Sequence, residues 1–170
     1  MKKPKPLVDE PQAYRYAIWL LTRRPYSIGE LQEKFRRRFL SPEIQEKVLT
    51  RLIQKKFVND ETFSEIYVNS KMNQGWGPHK IKLGLQKKKI ARGLSEKAVG
   101  SAFPPEKINQ SALEILGRQK QRFLRKKEKK KGQRLELACQ FLVRKGYSFQ
   151  VARLAVTRVF GYNSDLPHDD

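Results

Sequence analysis

The run from Phe57 to Ile90, FVNDETFSEIYVNSKMNQGWGPHKIKLGLQKKKI, reads as two amphipathic helices joined by one tight glycine turn. Asp60 is placed to cap the first helix, Glu61 suits its positive start, and Phe63, Ile66, Tyr67 and Ser70 fall at helical spacing. Gly75-Trp76-Gly77-Pro78 then stops that helix: the glycines supply the positive φ of a reversal, and Pro78 suits the first position of the next. The second helix turns Ile81 and Leu85 inward and Lys80, Lys82, Lys87, Lys88 and Lys89 outward. Trp76 is read either as a lock on the turn, against Tyr67 or Met72, or as a platform for a base.

Outward from that run, a helix from Pro11 shows Tyr14, Ala17, Ile18 and Leu21 on one face, with Trp19 to the side. Ser27 and Glu30 have the spacing of a capping box ahead of Leu31, Phe35 and Phe39. Ser41-Pro42-Glu43 opens a helix carrying Ile44, Val48, Leu49 and Leu52. Leu31, Phe35, Leu40, Ile44, Val48, Leu49 and Leu52 map onto Ile81, Leu85, Ile90, Leu94, Ala98, Val99 and Ala102 by adding 50. A further 57 gives Ala138, Leu142, Tyr147, Val151, Ala155, Val156 and Val159. Short helix pairs bury their apolar faces by stacking on neighbours, so the expected fold is all-α, an elongated array of three tandem three-helix repeats. Their bounds are 11–59, 60–103 and 104–160, with a basic insertion at 125–131 and mobile ends at 1–10 and 161–170. Ser41 and Ser148 share one cap position; Ala91 breaks it in the middle unit, where Ser95-Glu96 offers a later start.

The central run resembles the RecX family of regulators of the RecA recombinase. The resemblance rests on Asp60 followed by Phe63, Gly75-Trp76-Gly77-Pro78, Lys80-Ile81, Leu85 and the lysine-rich end at Ile90. Phe141-Leu142, then Arg144-Lys145-Gly146-Tyr147, is similar to the family's closing block. It implies a regulatory protein that binds along RecA filaments on single-stranded DNA. Its expected action is to modulate, most often inhibit, recombinase, strand-exchange and coprotease activity in DNA repair and the SOS response.

Composition sets independent bounds. The 170 residues carry a formal charge of +20, which calls for a polyanionic partner, nucleic acid or an acidic protein surface. Cys139 is the single cysteine, more suited to packing than to reaction, so neither an internal disulfide nor a cysteine zinc cluster is available. The start Met1-Lys2-Lys3-Pro4-Lys5 has no apolar signal core behind it, and no apolar run is membrane-length; a cytoplasmic monomer is expected. His79 and His168 lack metal-ligand spacing, and the terminal Asp165, His168, Asp169, Asp170 group reads as a fraying tail. Without a phosphate loop, dinucleotide fingerprint or nucleophile elbow, neither an enzyme nor a cofactor is expected.

What remains is the pattern of cations. Lys34, Arg36, Arg37 and Arg38 end the second helix of unit one; Lys87, Lys88, Lys89 and Arg92 hold the matching place in unit two, and Arg144 and Lys145 in unit three. Lys80 and the run Arg125, Lys126, Lys127, Lys129, Lys130, Lys131 add to them. Cations at a helix C-terminus complement its dipole by about 0.3 to 1 kcal/mol each. Three or four in succession repel one another, which favours a filament- or DNA-binding role. The alternative is a sequence-independent DNA or RNA binder acting on phosphate alone.

Overall fold

A computed structural model describes residues 6–125 and 130–161. Lys126, Lys127, Lys129 and the terminal Asp165–Asp170 group lie outside the described residues. Among the described residues there are nine α-helices and no strand: α1 Glu10–Leu21, α2 Ile28–Arg36, α3 Pro42–Gln54, α4 Asp60–Asn73, α5 Pro78–Lys87, α6 Arg92–Ala102, α7 Pro105–Leu124, α8 Lys131–Lys145 and α9 Phe149–Phe160. None is long and apolar enough to cross a membrane.

The helices form two compact units, and the boundary falls inside α4, α5 and α6, at Tyr67/Val68, Leu83/Gly84 and Ala98/Val99. The first unit has α1, α2 and α3, with α1 packed on α3. Its core includes Ala13, Ala17, Leu31, Phe35, Val48, Leu52 and Val58. In the second unit α7 packs on α8 and α9 around Ala112, Leu116, Ala138, Leu142, Ala152 and Val156. These are largely the three-to-four-residue stripes the sequence displays, so burial of one face per helix explains why each segment is helical.

Local chemistry sets the helix ends. Asp9 caps α1 by accepting the Gln12 amide at 2.8 Å. The capping box of α2 is present, the Glu30 amide donating to Ser27 Oγ at 3.1 Å and the Ser27 amide to Glu30 Oε2 at 3.4 Å. Ser148 caps α9 through the Val151 amide, but Ser41 makes no such bond at α3, where Pro42 sets the start.

Three local expectations are corrected. Asp60 does not cap α4: Asn59 Oδ1 accepts the Glu61 and Thr62 amides at 2.7 and 3.2 Å, and Asp60 reaches instead to the Ile28 amide at 2.8 Å. The last helix of the middle module does not wait for Ser95. It starts at Arg92, in register with the others, and Ser95 is buried with its hydroxyl on the Arg92 carbonyl. Of the two turn glycines only Gly75 has positive φ; Gly77 is small because its Cβ would lie 2.7 Å from the backbone of Gly146. Tyr67, midway along α4, stacks on Phe63.

Candidate anion-binding surface

In the first unit the ends of α2 and α5 meet. The α5 chain reverses through Lys89, whose φ is +64°, and the Ser27 hydroxyl at the start of α2 donates to the Lys88 carbonyl at 2.5 Å. The opening beside this junction is a cleft of about 430 Å³ lined by Arg24, Glu30, Glu33, Lys34, Arg37, Lys87 and Lys89. Five cations thus face two carboxylates, and both carboxylates are engaged.

Glu30 is the structural part of that set. Its side chain, 14% exposed, takes Arg24 at 3.0 and 3.2 Å and Lys88 at 2.7 Å. Burial alone would raise its carboxyl; Arg24 and Lys88 outweigh burial and hold it below the usual carboxylate range. Lys88, expected to point outward with its neighbours, is therefore half-buried and spent on the fold. Asp60 lies in the same unit, and there burial prevails: its carboxyl is raised, the Ile28 amide opposing the shift and Glu30 adding to it.

Glu33 pairs with Arg36 and with Arg37, the latter at 3.0 Å. Arg38 lies 4.3 Å from the Tyr16 ring centroid, and Arg92 pairs with Glu96. Of the cations that line this cleft, Lys34, Lys87 and Lys89 have no carboxylate partner among the described residues. Their spacing at the two helix ends can hold an anion by several weak contacts, and no aromatic plane or base-reading fork accompanies them.

The second unit holds a separate set around the glycine turn. The Gly77 amide donates to the Lys145 carbonyl at 2.7 Å and the exposed His79's amide to Gly146 at 3.1 Å, while Lys145 Nζ reaches the Gln74 carbonyl at 3.1 Å. Lys80 Nζ donates to the Arg144 carbonyl at 3.3 Å. The ammonium groups of Lys71 and Lys80 lie 4.9 and 4.6 Å from the Trp76 ring centroid. Trp76 therefore has cations as neighbours where a base would stack. Lys80 and Lys145, like Lys88, serve the junction; the Arg144 side chain is exposed. Arg125, Lys130 and Lys131 are exposed at the edges of the undescribed segment. Among the described residues no group of His, Cys, Asp and Glu is arranged to hold a metal. Cys139 is buried, and burial pushes its thiol up, as fits a packed residue.

The sequence reading missed Arg24, Glu30 and Lys71 as members of these sets. Arg24 and Glu30 are six residues apart, with no helical spacing to flag them. Lys71 looked like one exposed position of α4 until the turn carried Trp76 back to it.

Helix-capped modules of this size, with cations concentrated where one helix ends and the next begins, define an all-α protein built from three-helix domains. Residues 13–52 match the family model described as RecX, first three-helix domain, and residues 59–99 match RecX, second three-helix domain. The chain belongs to the RecX family. The regulatory protein RecX of Mannheimia succiniciproducens is 32% identical over 108 residues, 62% of this chain and 69% of that relative. That of Photobacterium profundum is 36% identical over 85 residues, 49% of this chain but 32% of the relative, so the match spans about a third of that protein. In fold, the crystal structure of RecX from Lactobacillus salivarius superposes with a TM-score of 0.77 at 21% identity, covering 91% of this chain and 98% of that one.

Proposed function

We propose that this chain is a cytoplasmic regulator that binds RecA recombinase filaments on single-stranded DNA and inhibits them, acting in DNA repair and the SOS response, and that it does so as a non-enzymatic monomer. The observation that carries this reading is the cationic cleft of the first unit, where Lys34, Lys87 and Lys89 remain uncompensated, in a chain whose relatives are named regulatory proteins. A ligand that binds two filament geometries with different affinity shifts the balance between them, and surface contact with several weak sites is enough. We propose that the three-helix repeats 11–59, 60–103 and 104–160 supply those sites, with Arg125 to Lys131 as an additional phosphate contact.

The test is DNA-dependent ATP hydrolysis by a recombinase filament titrated with this protein. Inhibition at protein concentrations well below the recombinase is expected. If inhibition instead appears only once free DNA is saturated, the protein acts on phosphate directly. That second reading is favoured by the same uncompensated lysines, which need only a polyanion.

A further inference from the structure

On the first unit, beside the cationic cleft, a second opening of about 600 Å³ is walled mainly by apolar side chains. The end of α1, the Arg23–Tyr26 loop, the α3–α4 loop and the first turns of α4 build it. Two of its large apolar side chains face water, Phe57 at 52% and Ile66 at 48% exposure. The lining includes Arg23, Arg24 and Lys56 and no carboxylate. Arg24 lines this opening and the cationic cleft alike, so the two adjoin at that residue.

We propose that this apolar cleft docks a short peptide segment of a protein partner, one large apolar side chain seated between Phe57 and Ile66 and acidic residues following it toward Lys34, Lys87 and Lys89. The charge pattern selects an acidic occupant, and the lining selects a peptide over a nucleic acid. A base needs a free aromatic face and hydrogen-bonding groups at its edge. Phe57 alone leaves a face open: the Arg24 guanidinium lies 3.6 Å from the Tyr26 ring centroid, and Phe63 is buried and stacked on Tyr67, so the lining has no second ring to clasp a base against Phe57. The Thr22 hydroxyl is spent on the Trp19 carbonyl and Asn59 Oδ1 on two backbone amides. Apolar contact, which an aliphatic or aromatic side chain supplies, is what Phe57 and Ile66 offer, with Lys56 beside them for an acidic group. The proposal does not rest on the recombinase reading, since its partner is defined by chemistry alone.

Fluorescence anisotropy on the full chain tests it, with a labelled peptide Gly-Ser-Leu-Phe-Asp-Glu-Asp-Glu, the same peptide with Ser-Ser in place of Leu-Phe, and a labelled oligothymidylate. The Leu-Phe peptide is expected to bind at least about tenfold more tightly than the serine peptide, the scale of burying part of one large side chain. Phe57→Ser with Ile66→Ser should remove that advantage and leave serine-peptide binding and helicity unchanged. Lys56→Glu, a single exposed change, should weaken the Leu-Phe peptide about threefold or more. Equal binding of the two peptides overturns the proposal, as does an equal loss of oligothymidylate binding in the Phe57/Ile66 variant, which would make the surface a nucleic-acid site. Replacing Asp165, Asp169 and Asp170 by Asn in the full chain should change nothing. A gain in peptide affinity there would assign the cleft to this chain's own acidic end and overturn the partner.

Discussion

Glu30 receives two cations and a backbone amide, and Asp60, distant in sequence but close enough in space to feel the charge of Glu30, receives one amide and no cation. Their carboxyls accordingly move in opposite directions, Glu30 down and Asp60 up. Because the folded value of Glu30 is lowered, its charge stabilises the fold fully above the ordinary value of 4.5, and that contribution disappears as pH falls through the lowered value. Glu30→Gln is expected to cost about 1–2 kcal/mol at pH 7, discounted for the 44% exposure of Arg24. The deficit should shrink in urea melts near pH 3. For Asp60 the sign reverses: ionisation works against the fold above its ordinary value of 3.8, and protonation as pH falls removes that cost. Asp60→Asn keeps an oxygen for the Ile28 amide and removes the buried charge, so neutral or slightly raised stability is expected at pH 7. Asp60→Ala should lose about 1 kcal/mol by leaving that amide without its acceptor. Sequence placed both acids at helix starts but could not rank Asn59 against Asp60 as cap of α4. The choice is made by Ile28, 32 residues away.

At the level of helices, the spacing of 50 and 57 residues read from apolar positions reappears in backbone geometry. Phe39, Lys89 and Gly146, related by those offsets, have φ of +57°, +64° and +96°, so each second helix ends on a left-handed residue although only one is glycine. The bonds that follow obey the same offsets, Ser27 to the Lys88 carbonyl and Gly77 to the Lys145 carbonyl. Arg38, the first-block counterpart of Lys88, has its carbonyl filled by the Leu7 amide at 3.0 Å, with Leu7 itself buried. Apolar period and capping residues were legible because they are side-chain properties. The junctions were not, since a carbonyl is carried by every residue and Lys80, Lys88 and Lys145 look identical to free surface lysines. Gly77→Ala tests the junction: its Cβ meets backbone, which cannot swing away, so a loss of about 2 kcal/mol or more is expected. Gly117→Ala, in α7 with nothing within 4 Å of its Cβ, should gain about 0.5–1 kcal/mol. Thermal melts of the two variants should move in opposite directions.

Over the whole molecule, a formal charge of +20 makes net charge a poor guide to where an anion binds, because many cations already have work inside the fold. Reversing Lys87, Lys88 and Lys89 together would confound binding with stability, since Lys88 is held by Glu30 at 2.7 Å. The informative variant is Lys87→Glu with Lys89→Glu, both exposed and both on the cationic cleft. Its unfolding free energy should stay within about 1 kcal/mol of the parent, as for surface changes away from buried networks. Affinity for single-stranded DNA or for recombinase filaments should fall, and it should fall most at low salt, where screening is least. On single strands each lost phosphate contact reduces the log-log salt slope by about 0.7, so losing two contacts should flatten it by about 1.4. Filament affinity that falls while the slope on free DNA stays fixed would place these lysines against acidic protein groups. A fall in both, in the same proportion, would place them on phosphate. Unchanged affinity for either partner would remove the cleft from the interface, leaving the cations around α8 as the remaining candidates.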